Sequence, residues 1–557
     1  MLSIPVRCGR ASTRPFGTPI NLRTGGGRPL AVALLCLGAT HASAYPTSVG
    51  TFAQLRRLPP PTAAVVVAVA GHSAPGDGGG GSFRFDPLSW VRDNDGTVLA
   101  PVPPRRGRWL RVYAKDLSVK WFGARGDGRT FDTAAAQAAV DAVRPGDTLH
   151  FPPGVYRIEA DRGVKLKNDV RLDLGTATLA AANVAGARCR ILEIQGRRNI
   201  LISGGTLVGS RGGSPEWAVG LLASDAQNLF VENVSFRDFY FDGILLTGNL
   251  GCRKVVIRGC VSLNNRRSGL TVAAASDVTV ANSVFQGSQG QEPEAGVNVE
   301  PGPGAEVRDV RFEDATFARN AGIGLYVHRG LGVRVSGASV TGSLLQDNSQ
   351  GIVADEVEGL RVVENRVAGH RERARSGIAL EQVRGALVLD NDLAGNFRGI
   401  YSAGSSAVEI RRNVIVGTGP LVGEEAGEDG EGIVCRGLAA PLANACVVSN
   451  NVVRRCAGSG ILALLVTGFR VLDNHVEETG QRGVHLRYAS RGEVRGNTLS
   501  RTGLEAPRRY DAVEIAQFSD ANLITANVIR LGAGARRAVG IEANCRGNRV
   551  LGNVVLP

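Results

Sequence analysis

A glycine followed by an apolar residue, usually with a second apolar residue two places on, recurs through this chain. It stands at Gly220, Gly243, Gly269, Gly296, Gly322, Gly351, Gly377, Gly399, Gly432, Gly460, Gly483 and Gly540, with Ala512 filling the one gap. The mean interval is about 27 residues, and self-similarity at that period marks units that bury their apolar faces by stacking on one another. Between these sites an asparagine precedes an apolar pair at Asn365, Asn391, Asn413, Asn451, Asn474, Asn497 and Asn527. Apolar residues alternate with period two, and Gly, Asn, Asp and Ser interrupt them every eight to twelve positions or so, which describes short strands joined by turns. Leucine-rich repeats need a longer leucine framework, and propeller blades need about 40 residues. The pattern predicts an all-β chain folded as a right-handed parallel β-helix. Two or three strands per coil would stack Val, Ile and Leu inside, and the asparagines would form hydrogen-bonded ladders at turns.

The N-terminal part departs from this repeat. The stretch TAAAQAAVDAV (133–143) is the clearest helix, with Asp132 as its expected N-cap, and would cap the open end of the solenoid. The β-helix is therefore expected over residues 118–557, with a capping segment at 118–158, and a separate small β-rich head domain at 45–117. Ahead of that, RPLAVALLCLGA (28–39) puts basic residues before a short apolar run, and Ala42-Ser43-Ala44 supplies small residues for cleavage. Residues 1–44 read as a secretory signal peptide, so the protein is expected to be secreted or periplasmic, with no membrane span. The formal net charge is +13, of which five arginines in residues 1–44 supply part. The remaining excess suits an anionic partner. Nine cysteines show no C-x-x-C spacing, which argues against zinc. Cys252 with Cys260, or Cys446 with Cys456, are candidate pairs, with free buried thiols as the alternative.

In a strand that follows each repeat glycine, positions +1 and +3 should face inward and positions +2 and +4 outward. Stacking then turns the outward positions into vertical rows. By this count Glu300, Tyr326, Asp355 and Glu381 share the +4 row on four consecutive coils. Asn298 stands beside Glu300, His328 two residues beyond Tyr326, and Tyr401 on the next coil. Asp355 and Glu381 would lie about 5 Å apart at the backbone, and Glu300 and Asp355 about 10 Å apart, bracketing the separations that glycosidases use. Glu300, Asp355, Glu381 and Tyr326 are thus the catalytic candidates, and Asn298, His328 and Tyr401 candidate substrate contacts. A second set, Arg436, His485 and Arg487 with Glu514, has the composition of an anionic-sugar site, where an arginine neutralises a carboxylate and His485 takes a proton. The opposing reading of both sets is ordinary exposed strand residues and surface ion pairs.

The segments VKWFGARGDG (119–128), Asp132-Thr133 and FPPGVYRI (151–158) resemble the opening of the pectate-lyase-like superfamily, in its rhamnogalacturonase and epimerase-like branch. Upstream, GDGGGGSFRFDPLSWVRDNDGTVLAP (76–101) and GRWLRV (107–112) resemble the small head domain of phage tailspikes. These resemblances imply the fold and, from the tailspikes, a trimer among the oligomeric states that the residues leave open. Phe131 stands where the family has a first aspartate. The Asn-Thr-Asp, Asp-Asp, Gly-His-Gly and Arg-Ile-Lys motifs of polygalacturonase-like hydrolases are missing, as is the Asp-Pro-His motif of alginate epimerases.

The expected function is an exported protein that cleaves or epimerises an acidic, uronate-containing polysaccharide by lyase, hydrolase or epimerase chemistry. The alternative is a non-catalytic carbohydrate-binding or surface-structural solenoid. No metal site or cofactor is expected, except that the acidic run Glu424, Glu425, Glu428, Asp429 and Glu431 could hold Ca2+. No nucleic-acid module is present.

Overall fold

The structure, a computed structural model, describes residues 45–62, 65–182, 188–212, 217–419, 430–438 and 446–557. The expected signal peptide, and Glu424, Glu425, Glu428 and Asp429 of the acidic run, lie outside the described residues.

Residues 48–111 carry a five-stranded sheet in the order Ser48–Thr51, Val66–Gly71, Gly81–Asp86, Arg108–Arg111, Val98–Leu99. Alternation buries Phe83, Phe85, Leu99 and Trp109 on one face. Arg111 ties this sheet to the segment that follows. Its guanidinium donates to the carbonyls of Gly80 at 2.7 Å and Gly96 at 3.1 Å, and lies 4.3 Å over the ring of Trp121.

The helix Thr133–Ala142 buries Ala136, Ala139 and Val140 against the first coils, where Leu149, Tyr156 and Leu179 are fully buried. Asp132 precedes it without capping it. Its carboxylate instead accepts from the backbone amides of Arg125 at 2.6 Å and Gly126 at 3.1 Å, fixing the loop that enters the helix.

From there the strands pair in parallel, each with the strand one coil later. A representative coil contributes Cys252–Arg258, Val261–Leu263 and Ser268–Val272 to three walls. In the next coil Val255 meets Val278, Val261 meets Val284 and Leu270 meets Val297. One wall is a sheet of fifteen strands, from Val164–Lys165 to Val539–Ile541. Behind it Ile244, Leu270, Val297, Leu325, Ile352, Ile378 and Ile400 form one sealed column. Burying each such side chain contributes roughly 1.5–3 kcal/mol.

The repeat glycines are explained by close approach. A Cβ on Gly296 would lie 2.6 Å from the carbonyl oxygen of Gly324, and one on Gly324 would lie 2.8 Å from that of Gly351. This ladder corrects the repeat at one point, because Gly324, not Gly322, is the stacked member. The asparagines behave as expected. The Asn365 amide donates to Asn391 Oδ1 at 2.9 Å, Asn391 to Asn413 at 2.9 Å and Asn413 to Asn451 at 3.0 Å, inside the coil. The cysteine pairing differs from both candidates: Cys435 is bonded to Cys446. Cys252, Cys260 and Cys456 are buried thiols, pushed up by burial to about 11, about 11 and about 12. Among the described residues no helix is long and apolar enough to cross a membrane.

Candidate active site

The outward face of the fifteen-stranded sheet carries two parallel rows. The first runs through Thr271, Asn298, Tyr326, Val353, Ala379 and Tyr401 as successive Cα partners. In the second, His328 pairs with Asp355 and Asp355 with Glu381, while Glu300 follows Val299, the partner of Val327, and so stands level with His328. The expected +4 row is therefore corrected at Tyr326. Because Gly324 is the ladder glycine, Tyr326 belongs to the Asn298 row and His328 takes its place between Glu300 and Asp355.

At the Glu300 end the side chains are tightly joined. Arg267 donates one guanidinium nitrogen to Glu300 and another to Asp242 at 3.1 Å and to Thr271 Oγ1 at 3.0 Å. Its guanidinium also lies 4.7 Å over the Phe241 ring. Asp242 is sealed from solvent, and burial raises its carboxyl to about 6, with Arg267 opposing that rise. Asn298, also fully buried, donates to Glu300 Oε2 at 2.7 Å and meets His328 Nε2 at 3.1 Å. The His328 ring stacks on Tyr326 at 3.9 Å between centroids and 13° between planes. Burial holds His328 below its ordinary pKa, with Glu300 pulling the other way.

Asp355 and Glu381 lie one and two coils further on. Partial burial raises both carboxyls. Glu356 adds to the rise at Asp355 and Asp355 adds to it at Glu381, while Arg329 and Arg375 respectively oppose. Burial also raises the Tyr326 phenol, with Asp355, Glu381 and Glu300 adding to it. Two carboxyls on adjacent coils, about 5 Å apart at the backbone, do not ionise independently, because the charge on one disfavours ionisation of the other.

Further along the same face the second candidate set lines a cavity of about 260 Å³ that includes Arg398, Tyr401, Arg436, Arg482, His485 and Arg487. Arg436 reaches the Tyr401 hydroxyl at 3.4 Å, and Arg487 donates to Gln517 at 3.1 Å. Glu514 is engaged by Arg482, and Glu431, the described member of the acidic run, is buried and ion-paired with Arg398 at 3.1 Å. Burial, reinforced by Arg482 and Arg487, drives His485 well below its ordinary pKa and keeps it neutral. Among the described residues no group of three or more His, Cys, Asp or Glu could hold a metal ion.

The catalytic and substrate-contact candidates from the sequence all lie on this one face. Missing from that reading are Asp242, Arg398 and Arg482, each immediately before a repeat glycine, and Arg267, two places before one, while Glu431, also before a repeat glycine, was read only as part of the acidic run. Charge at the −1 and −2 positions was the available signal. It marks the residues that reach across a coil to hold the outward rows.

Comparison with known proteins agrees with this architecture. Residues 48–114 match the phage tail protein small four-stranded beta-sheet domain, and residues 117–182 match the rhamnogalacturonase A/epimerase, pectate lyase-like family. The uncharacterized protein YclG of Bacillus subtilis is 26% identical over 236 residues, covering 36% of this chain and 39% of that protein. Mannuronan C5-epimerase AlgE3 of Azotobacter vinelandii is 44% identical over 62 residues, 10% of this chain and 3% of that protein. The chain thus spans well under half the length of either relative. Among solved structures, the N-terminal fragment of bacteriophage phi29 gene product 12 covers 77% of this chain and 80% of its own, at 13% identity and a TM-score of 0.52, a likeness of fold. The description "right handed beta helix region" matches residues 163–309, 294–461 and 432–556. With its coils matched over that whole length, the chain belongs to the right-handed beta helix family, with a pectate-lyase-like opening and a tailspike-like head.

Proposed function

We propose that this protein binds an extended acidic polysaccharide along the outward face of the fifteen-stranded sheet and hydrolyses it, with Asp355 and Glu381 as acid and base. The observation that carries this reading is the in-register pair of carboxyls on adjacent coils, partly buried at Asp355 and exposed at Glu381, with both raised. Protonated, one delivers its proton to the leaving glycosidic oxygen. Ionised, the other attacks the sugar or activates water. The arginine-lined cavity begins one coil beyond Glu381, at Arg398 and Tyr401, and reaches Arg436 on the next, so a chain lying along the row would place its negative charges there. The name of the Azotobacter relative, a mannuronan epimerase, supports an acidic sugar polymer as the substrate class. Export, as read from residues 28–44, would bring the protein to such a polymer.

A specific observation favours a second reading, β-elimination. His485 is neutral, buried and flanked by Arg482 and Arg487, which suits proton abstraction beside a neutralised carboxylate.

Incubating the full chain with a polyuronate panel separates these readings. Hydrolysis releases reducing ends alone, elimination adds ultraviolet absorbance from unsaturated ends, and epimerisation changes only the sugar composition. Hydrolysis lost in Asp355→Asn or Glu381→Gln supports the first reading. Unsaturated ends lost in His485→Gln move the chemistry to the cavity. Silence across the panel overturns catalysis in favour of a binding or structural solenoid.

A further inference from the structure

The chain of contacts that starts at Asp242 has a chemical direction. A carboxylate only accepts hydrogen bonds, so the side-chain NH2 of Asn298 must be the group that faces Glu300 Oε2 at 2.7 Å. That turns Asn298 Oδ1 toward His328 Nε2 at 3.1 Å, and an amide oxygen only accepts. Nε2 therefore carries the proton. His328 Nδ1 makes no hydrogen bond among the described residues and is not sealed from solvent. Stacking on Tyr326 fixes the plane of the ring, and Arg267, anchored on fully buried Asp242, fixes Glu300.

We propose that Asp242, Arg267, Glu300 and Asn298 are positioning residues that hold His328 as the neutral Nε2–H tautomer and present Nδ1, beside Asp355, as an acceptor for a hydroxyl of the bound sugar. An acceptor at this end and a cluster of arginines at the other give the face a polarity, with hydroxyl read at His328 and carboxylate read at Arg436 and Arg487. Glu300, which already accepts from Arg267 and Asn298, orients His328 instead of exchanging protons with substrate. The ligand half of this inference rests on the reading above of the face as a polysaccharide site. The tautomer half does not.

The experiment is nitrogen-15 spectroscopy of the full chain labelled at its seven histidines, with His328→Gln identifying the ring signals. Free protein at neutral pH should show His328 as a single Nε2–H tautomer, and Arg267→Lys and Asn298→Ala should each give a mixture. If Asn298→Ala does not fold, wild type and Arg267→Lys decide. A mixture or an Nδ1–H tautomer in wild type, or variants identical to wild type, overturns the tautomer half. Titration with galacturonate and mannuronate oligomers should then move Nδ1 far more than Nε2. Binding seen by calorimetry without an Nδ1 shift overturns the ligand half alone. No binding across the panel overturns it together with the polysaccharide reading, while the tautomer result stands by itself.

Discussion

Arg267 is ion-paired with Glu300 across one coil of the solenoid, and the same guanidinium holds Asp242, which has no exposure at all. One cation thus serves two carboxylates, one on the turn before its own and one on the turn after. Removing one partner of a buried pair costs about 3 kcal/mol or more, because the remaining charge stays desolvated. Arg267→Met should therefore lower unfolding free energy by about that amount, and adding Asp242→Asn should recover part of it. Urea denaturation of the two variants checks this. A loss within experimental error in Arg267→Met would mean that Asp242 finds another partner.

Asp242 also predicts a pH dependence. Its carboxyl is raised from 3.8 to about 6 by burial, with Arg267 opposing. A group that binds its proton more tightly when folded contributes stability at low pH, which is lost as pH rises through the interval between the unfolded and folded values. Wild type should accordingly lose up to about 3 kcal/mol between about pH 4 and pH 6 relative to Asp242→Asn, at 1.36 kcal/mol per pKa unit. Denaturation midpoints measured across that window should diverge between the two proteins. Parallel profiles would place the titration elsewhere.

Asp355 and Glu381 project from the wall and bear little of the fold. Asp355→Asn and Glu381→Gln should leave stability within about 0.5 kcal/mol of wild type. At least one should reduce turnover of a polyuronate by about a hundredfold or more. Full activity in both, measured as reducing ends, would remove the pair from the chemistry.

The glycine ladder can be tested without any substrate. Gly324→Ala brings a methyl group to 2.8 Å from both the Gly351 carbonyl and the Asn348 amide, and overpacking of this kind costs about 1–3 kcal/mol. Gly302→Ala meets nothing within 4 Å and should be neutral. Thermal unfolding of the two variants should separate them clearly. Equal stability would show that the coils part to admit a Cβ.

Period, handed architecture, buried columns and asparagine ladders were legible in the sequence, because a stacked coil repeats its chemistry at every turn and local alternation says which residues face inward. Register was not legible everywhere. Gly322 and Gly324 are two residues apart, and each is followed by apolar residues at +1 and +3. A slip of two keeps every side chain on its own face, so alternation cannot tell them apart. Only the contact between the Gly296 position and the Gly324 carbonyl decides, and with it whether Tyr326 or His328 stands beside Asp355. The site was legible as a face but not as a set of partners. Arg267 meets Asp242 from 25 residues away and Glu300 from 33, separations that differ from one coil to the next with loop length. By itself the sequence determined the solenoid and the row of chemistry on its wall. The tertiary structure decided which charges neutralise one another and which nitrogen of His328 is engaged by Asn298, because those depend on how side chains from successive coils reach across a stacking distance that no single coil encodes.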